Sequence, residues 1–188
     1  MVVNKSRALN PKSYVPADLV YPDVPYVNHQ PLRREAAAAL VALFAAAHSE
    51  AGLRLSVQSA YRSYDMQLRV YNQDVAAHGG TYADTDTARS GTSEHQTGLA
   101  VDISAVPASC SLDACFGTTP QGRWLAANAW RFGFLLRYQA DKVAVTGYTY
   151  EPWHFRYVGV DLATQLHKTG VTTLEEFFGV PGGTAYAQ

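Results

Sequence analysis

Two short segments of this sequence carry residue types that can hold a metal ion and move a proton. In Ser93-Glu94-His95-Gln96-Thr97-Gly98-Leu99-Ala100-Val101-Asp102, an imidazole and a carboxylate flank a glycine that permits a sharp backbone turn. The turn can bring both groups to one point. An imidazole nitrogen and a carboxylate oxygen suit a zinc ion, and a catalytic zinc site uses three protein ligands with a fourth position open. The best source of a third ligand is Tyr150-Glu151-Pro152-Trp153-His154-Phe155-Arg156, where an acid precedes a histidine by three residues and Pro152 interrupts the pleat. Glu151 and His154 can then face one cavity. With His154 joining His95 and Asp102 on the metal, Glu151 is free to take a proton from an attacking water and pass it to the departing amine. That division of labour is a hydrolase's.

Other catalytic sets are incomplete. His29, His48, His78 and His167 have no ligand-spaced partner and read as ordinary surface or core histidines. No serine is followed by lysine three residues later, so Lys168-Thr169-Gly170 stands without a nucleophile motif and reads as a helix end with a terminal glycine. G-x-S-x-G and H-E-x-x-H are both absent. Cys110 and Cys115, five apart in a loop-like stretch, are close enough to form a disulfide in an oxidising compartment, the alternative being two buried thiols.

The elements that must position these groups follow from periodicity. Residues 1–31 hold most of the prolines and read as an extended arm packed on the domain, which then spans 32–188. Leu40, Leu43, Phe44 and Ala47 share a face of a helix over Leu32–Ala51 that Gly52 ends. Leu53, Leu55 and Val57 alternate with polar residues in a strand that delivers Arg62 at its end. A helix over 64–78 and a long polar loop over 79–94 precede a second strand, in which Leu99, Val101 and Ile103 point away from Asp102. A helix from Pro120 to Phe132, strands near Phe134–Tyr138 and Trp153–Val158, and two short helices complete the chain. Strands and helices without regular βαβ alternation predict a single α+β domain, with a mainly antiparallel sheet flanked by helices.

Bulk properties narrow the partners. At 188 residues the chain suits one domain. Fifteen Lys and Arg against sixteen Asp and Glu give no positive excess to hold nucleic acid. The alanine-rich run Ala36–Ala47 is too short to span a bilayer, so no membrane segment is expected in this sequence, and a monomer is the default. Met1 leads directly into Val2-Val3-Asn4-Lys5 with no signal-peptide pattern, so an export signal or anchor is expected to lie outside the sequence.

Taken together, the two motif segments resemble those of the VanY-type D-alanyl-D-alanine carboxypeptidases, in the LAS group of zinc peptidases (peptidase family M15). The resemblance extends to Tyr61-Arg62-Ser63 with Gln67, to Gly122-Arg123-Trp124-Leu125 leading to Arg131-Phe132-Gly133-Phe134, to Thr146-Gly147-Tyr148, and to Asn4-Lys5 and Tyr14-Val15-Pro16 in the arm. It implies a hedgehog/D-Ala-D-Ala-peptidase-like fold and one Zn2+ per chain on His95, Asp102 and His154. It also implies Glu151 as general base and acid, and Arg62 as the group that stabilises the oxyanion. Ser93, Gln67, Tyr138, Tyr148 and Trp153 would line the peptide groove. The implied reaction is hydrolysis of the C-terminal D-alanine of peptidoglycan stem peptides outside the cytoplasm, in the cell envelope or secreted. That chemistry would serve wall remodelling or antibiotic resistance alike. L,D-carboxypeptidase action on tetrapeptide stems, or a non-catalytic module that binds wall peptides, are the alternatives. Arg62 could instead pair with an acid such as Asp65, and Tyr148 and Trp153 could be core aromatics.

Overall fold

Residues 1–187 are described by the structure, a computed structural model; Gln188, the last residue of the 32–188 unit expected from the sequence, lies outside the described residues. The arm runs to strand β1 (Leu19–Val20), which pairs antiparallel with β2 (Leu32–Arg33) just ahead of helix α1 (Arg34–Ala51). There follow β3 (Leu55–Ser59), α2 (Tyr64–His78), α3 (Gly80–Asp86), β4 (Ala100–Ala105), α4 (Pro120–Asn128), β5 (Phe134–Tyr138), α5 (Val143–Thr146), β6 (Glu151–Tyr157), α6 (Val160–Thr169) and α7 (Leu174–Phe178). The four longer strands form one antiparallel sheet in the order β3-β4-β6-β5. The chain thus adopts the expected α+β class with an antiparallel sheet.

Strand alternation gives this sheet two unlike faces, both buried. Val57, Val101, Ile103 and Phe155 lie on one, and they join Leu40, Leu43, Phe44 and Ala47 of α1 in the hydrophobic core. Asp102, Ser104, His154, Arg156 and Arg137 lie on the other, each at most 4% exposed. Hydrophobic burial on the first face must therefore offset the desolvation of a charged second face. Leu40 is fully buried at the centre of the apolar layer. Leu40→Ala is expected to cost about 2–5 kcal/mol of stability, read as a lower denaturant midpoint at unchanged slope.

The arm joins the sheet's β3 edge through backbone and side-chain bonds. Val57 N–H donates to Pro25 O at 2.9 Å, Val27 N–H to Val57 O at 2.7 Å, and Tyr61 N–H to Pro31 O at 3.0 Å. At the start of the arm, Asn4 and Lys5 are buried against residues far away in sequence, Lys5 donating to the carbonyls of Asp84 and Gly147.

Local departures from the sequence expectation have identifiable causes. Leu32 and Arg33 are extended and pair with β1, so α1 begins at Arg34 rather than at Leu32. The expected loop over 79–94 contains α3 and the first residue of a 3₁₀ turn, Glu94–Thr97. Only Ala83 of α3 is buried, so no apolar period marks that helix; Tyr71 and Arg89 hold it through hydrogen bonds to Asp84. The helix expected to run to Phe132 breaks after Asn128, whose φ of −124° leaves the helical region, and continues as a 3₁₀ turn over Ala129–Phe132. Strand β3 starts at Leu55 rather than Leu53, and β6 takes in Glu151 and Pro152 rather than starting at Trp153.

Candidate metal centre and active site

His95 is presented by the 3₁₀ turn that precedes β4. Ser93 opens that turn, its Oγ accepting from the His95 N–H at 3.3 Å, and Gly98 closes it at φ +68°. A side chain at Gly98 would suffer that backbone conformation and press within 3.0 Å of Leu19 and Arg33. The chain then enters β4, where Asp102 lies directly opposite His154 of β6. A register shift between Leu136 and Tyr138 accompanies Pro152 in the facing strand and leaves Tyr138 paired with Glu151. Through that irregularity Glu151 reaches the same side as His154, with Oε2 at 3.7 Å from His154 Nδ1.

The three residues meet as a buried cluster whose potential ligand atoms all lie within 4.8 Å of one another. His95 Nε2 is 3.3 Å from Asp102 Oδ2, and His154 Nδ1 is 3.0 Å from Asp102 Oδ1. A four-coordinate ion with ligand distances of about 2.0–2.1 Å requires donors roughly 3.3 Å apart, so this donor set fits a tetrahedral divalent ion. The outer nitrogens are already engaged. His95 Nδ1–H donates to Ala60 O at 2.7 Å, and His154 Nε2 lies 3.4 Å from Glu94 Oε2. Three protein donors and one open side are the arrangement of a catalytic rather than a structural metal site.

Electrostatics divide the roles further. Burial, reinforced by the nearby Arg62 charge, pushes His95 down to about 4 and keeps its imidazole neutral. Burial works against a charged His154, but its hydrogen bonds to Asp102 and Glu94 hold it up at about 9. An incoming metal would therefore have to displace a proton from His154. The flanking imidazoles outweigh burial at Asp102 and hold it far below the usual carboxylate range. Burial pushes Glu151 up to about 8, with Asp102 and Asp86 adding to the rise and His154 and Arg62 opposing it. A carboxyl in that range can both accept and return a proton near neutral pH.

Arg62, Gln67, Ser93, Tyr138, Tyr148 and Trp153, all named from the sequence, line one cleft with Glu151 and the His95–Asp102–His154 cluster. Arg62 Nε, Gln67 Oε1 and Tyr148 Oη are buried there with no hydrogen-bond partner among the described residues. Unmet polar groups of this kind are costly unless something else satisfies them. Asp65 is exposed and makes no ion pair with Arg62; the charges that bear on Arg62 are those of Asp102 and Glu151. Tyr148 packs against Tyr138 with ring centres 4.8 Å apart and planes tilted by 50°, and Trp153 packs partly on the core while also lining the cleft. Cys110 and Cys115 are joined as a disulfide, and Leu112 inside that loop reaches the cleft wall.

The sequence reading missed the groups behind the cluster. Glu94, Arg137, Arg156 and Glu175 form a buried ionic network against His154. A signal for part of it lies in the alternation, since Arg156 follows His154 by two in a strand and must share its face. Asp86 and Leu112 at the cleft rim gave no sequence signal.

Known proteins resemble this chain over most of its length. Residues 29–160 match the VanY family, described as D-alanyl-D-alanine carboxypeptidase. The putative carboxypeptidase YodJ of Bacillus subtilis is 43% identical over 182 residues, covering 94% of this chain and 66% of the relative. Among solved structures, the LdcB LD-carboxypeptidase superposes with a TM-score of 0.86 at 42% identity, over 96% of this chain and 86% of that one. A vancomycin-resistance D,D-pentapeptidase VanY in complex with Zn(II) superposes with a TM-score of 0.77 at 34% identity, over 95% of this chain and 97% of that one. The chain spans about two thirds of the length of its Bacillus subtilis relative.

Proposed function

The chain belongs to the VanY family of D-alanyl-D-alanine carboxypeptidases, and on that premise we propose that it is a zinc carboxypeptidase that removes the C-terminal D-alanine from peptidoglycan stem peptides. The observation that carries the reading is the convergence in one cleft of the three-donor cluster, the buried Glu151 carboxyl and the Arg62 guanidinium, whose buried Nε has no partner among the described residues. A purely structural site would need neither of the last two. His95 Nε2, Asp102 and His154 Nδ1 would hold the zinc, in keeping with the Zn(II) complex of the VanY relative. Zinc, when bound, supplies Lewis-acid polarisation of the scissile carbonyl and makes a water more acidic.

The chain's own residues do the rest. Glu151 receives the proton of the attacking water and returns it to the nitrogen of the departing D-alanine. Arg62 opposes the negative charge that develops on the carbonyl oxygen. Ser93, Gln67, Tyr138, Tyr148 and Trp153 form the walls against which the peptide is held, and burial keeps the phenols of Tyr138 and Tyr148 protonated as donors. Such chemistry on a wall peptide takes place outside the cytoplasm; no helix among the described residues is long and apolar enough to cross a membrane.

D-Alanine release from a pentapeptide ending in D-Ala-D-Ala tests the reading. Release is expected from the purified protein, loss of it after a chelator, and recovery on adding zinc. Bound zinc without any release would favour a module that only grips wall peptides. The LdcB likeness favours a second reading, L,D-cleavage of a tetrapeptide. Release from a tetrapeptide ending in L-Lys-D-Ala, with none from the pentapeptide, would replace the D,D assignment.

A further inference from the structure

We propose that Glu94 is the positioning residue of the metal centre: its buried carboxylate fixes the His154 ring so that Nδ1, not Nε2, is offered to the ion. The proposal rests on the reading of His154 as a metal ligand. An ionised carboxylate only accepts hydrogen bonds, so a ring nitrogen facing it must carry the hydrogen and cannot bind a metal. Glu94 Oε2 faces His154 Nε2 at 3.4 Å, and the opposite ring nitrogen, Nδ1, looks toward Asp102 and Glu151. The ring is thereby assigned an inner and an outer edge.

The carboxylate is itself held from two sides. Glu94 Oε1 accepts from Arg137 Nε at 2.9 Å and lies 3.1 Å from Arg156 Nη1. The Arg137 fork then grips Glu175, with Nη1 at 2.9 Å from Oε2 and Nη2 at 2.6 Å from Oε1. Asn4 Nδ2 donates to Glu175 Oε1 at 2.8 Å, and Arg156 Nη2 donates to Met1 O at 3.0 Å. Glu94, Arg137, Arg156 and Glu175 are each at most 3% exposed, and their two negative and two positive charges balance. Apolar side chains could fill the same space without desolvating four charges, so stability alone is a poor account of the network. An account that uses it is orientation: strands β5 and β6, helix α7 and the start of the arm all converge on the carboxylate behind one ligand. Partners behind metal-bound histidines act in this way, and their loss costs about 10–100-fold in metal affinity.

Zinc affinity, measured by competition with a chromogenic chelator, provides the test. Glu94→Gln is expected to bind zinc about 10–100-fold more weakly than wild type. Leu40→Ala, destabilised in the core away from the cleft, is expected to keep wild-type zinc affinity and so separates positioning from general loss of stability. Equal affinity in Glu94→Gln and wild type, or an equal loss in Leu40→Ala, would overturn the proposal. Because Glu94→Gln strands two buried arginines and could fail to fold, a second measurement uses the zinc-loaded wild-type protein with 15N-labelled histidine. His154 is expected to show a slowly exchanging Nε2–H and a metal-bound Nδ1; the opposite pattern overturns the assignment. A wild-type protein that took up no zinc would defeat the metal-site reading itself, whereas zinc uptake with His154 bound through Nε2 defeats only the role of Glu94.

Discussion

Glu151→Gln is expected to keep zinc at wild-type affinity while D-alanine release falls by about 10²–10⁴-fold, the range that general acid–base groups contribute. The substitution is nearly isosteric and leaves His95, Asp102 and His154 untouched, so the metal should stay. What is lost is a carboxyl that stands 3.7 Å from His154 Nδ1 with its pKa pushed up to about 8. Stability of the metal-free protein gives a second readout with a definite sign. A carboxyl raised from an unfolded value of about 4.3 to about 8 makes the folded state bind its proton more tightly, so stability falls as pH rises through that window. Glutamine cannot ionise, and metal-free Glu151→Gln should therefore lose less stability than metal-free wild type between those pH values. Zinc-loaded Glu151→Gln turning over at a near-wild-type rate would remove Glu151 from the proton path.

The contrast between what the sequence made legible and what it concealed has a physical basis. His95 and Asp102 were readable because one turn and one strand separate them, and Glu151 and His154 because a proline between them marks a break in the pleat. Nothing comparable marks Arg137 or Glu175. Their meeting depends on the β5–β6 register and on where α7 docks, neither of which local periodicity determines. Charged residues inside a strand could have been read as solvent-facing, yet this sheet is covered on both sides and its polar face is as buried as its apolar one. Helix α3 was missed for the opposite reason: a short helix with one buried residue has no apolar stripe to read.

That two-faced sheet also explains how a small domain holds a precise site. Asp102 and His154 sit opposite each other on the two central strands, where displacement of either would disturb both the apolar layer beneath and the ionic layer around them.

Arg62→Ala is expected to lower the turnover number by about 10²–10³-fold, close to 3–4 kcal/mol of transition-state stabilisation. The guanidinium projects from the short link between β3, which ends at Ser59, and α2, and lines the cleft with its Nε buried and unpartnered among the described residues. Burial lowers its pKa, Asp102 and Glu151 oppose that fall, and a guanidinium remains charged through any working pH. A fixed positive charge with no ion-pair partner among the described residues, lining the same cleft as the His95–Asp102–His154 ligand set, is suited to a charge that appears only as the carbonyl is attacked. The kinetic split distinguishes this from simple substrate binding. An oxyanion role lowers kcat with KM little changed, whereas a grip on the terminal carboxylate of the peptide raises KM at constant kcat. Arg62→Lys should recover only part of the rate, because an ammonium keeps the charge but not the forked geometry. A kcat unaffected by Arg62→Ala would assign the oxyanion to the metal alone and leave Arg62 as a binding group.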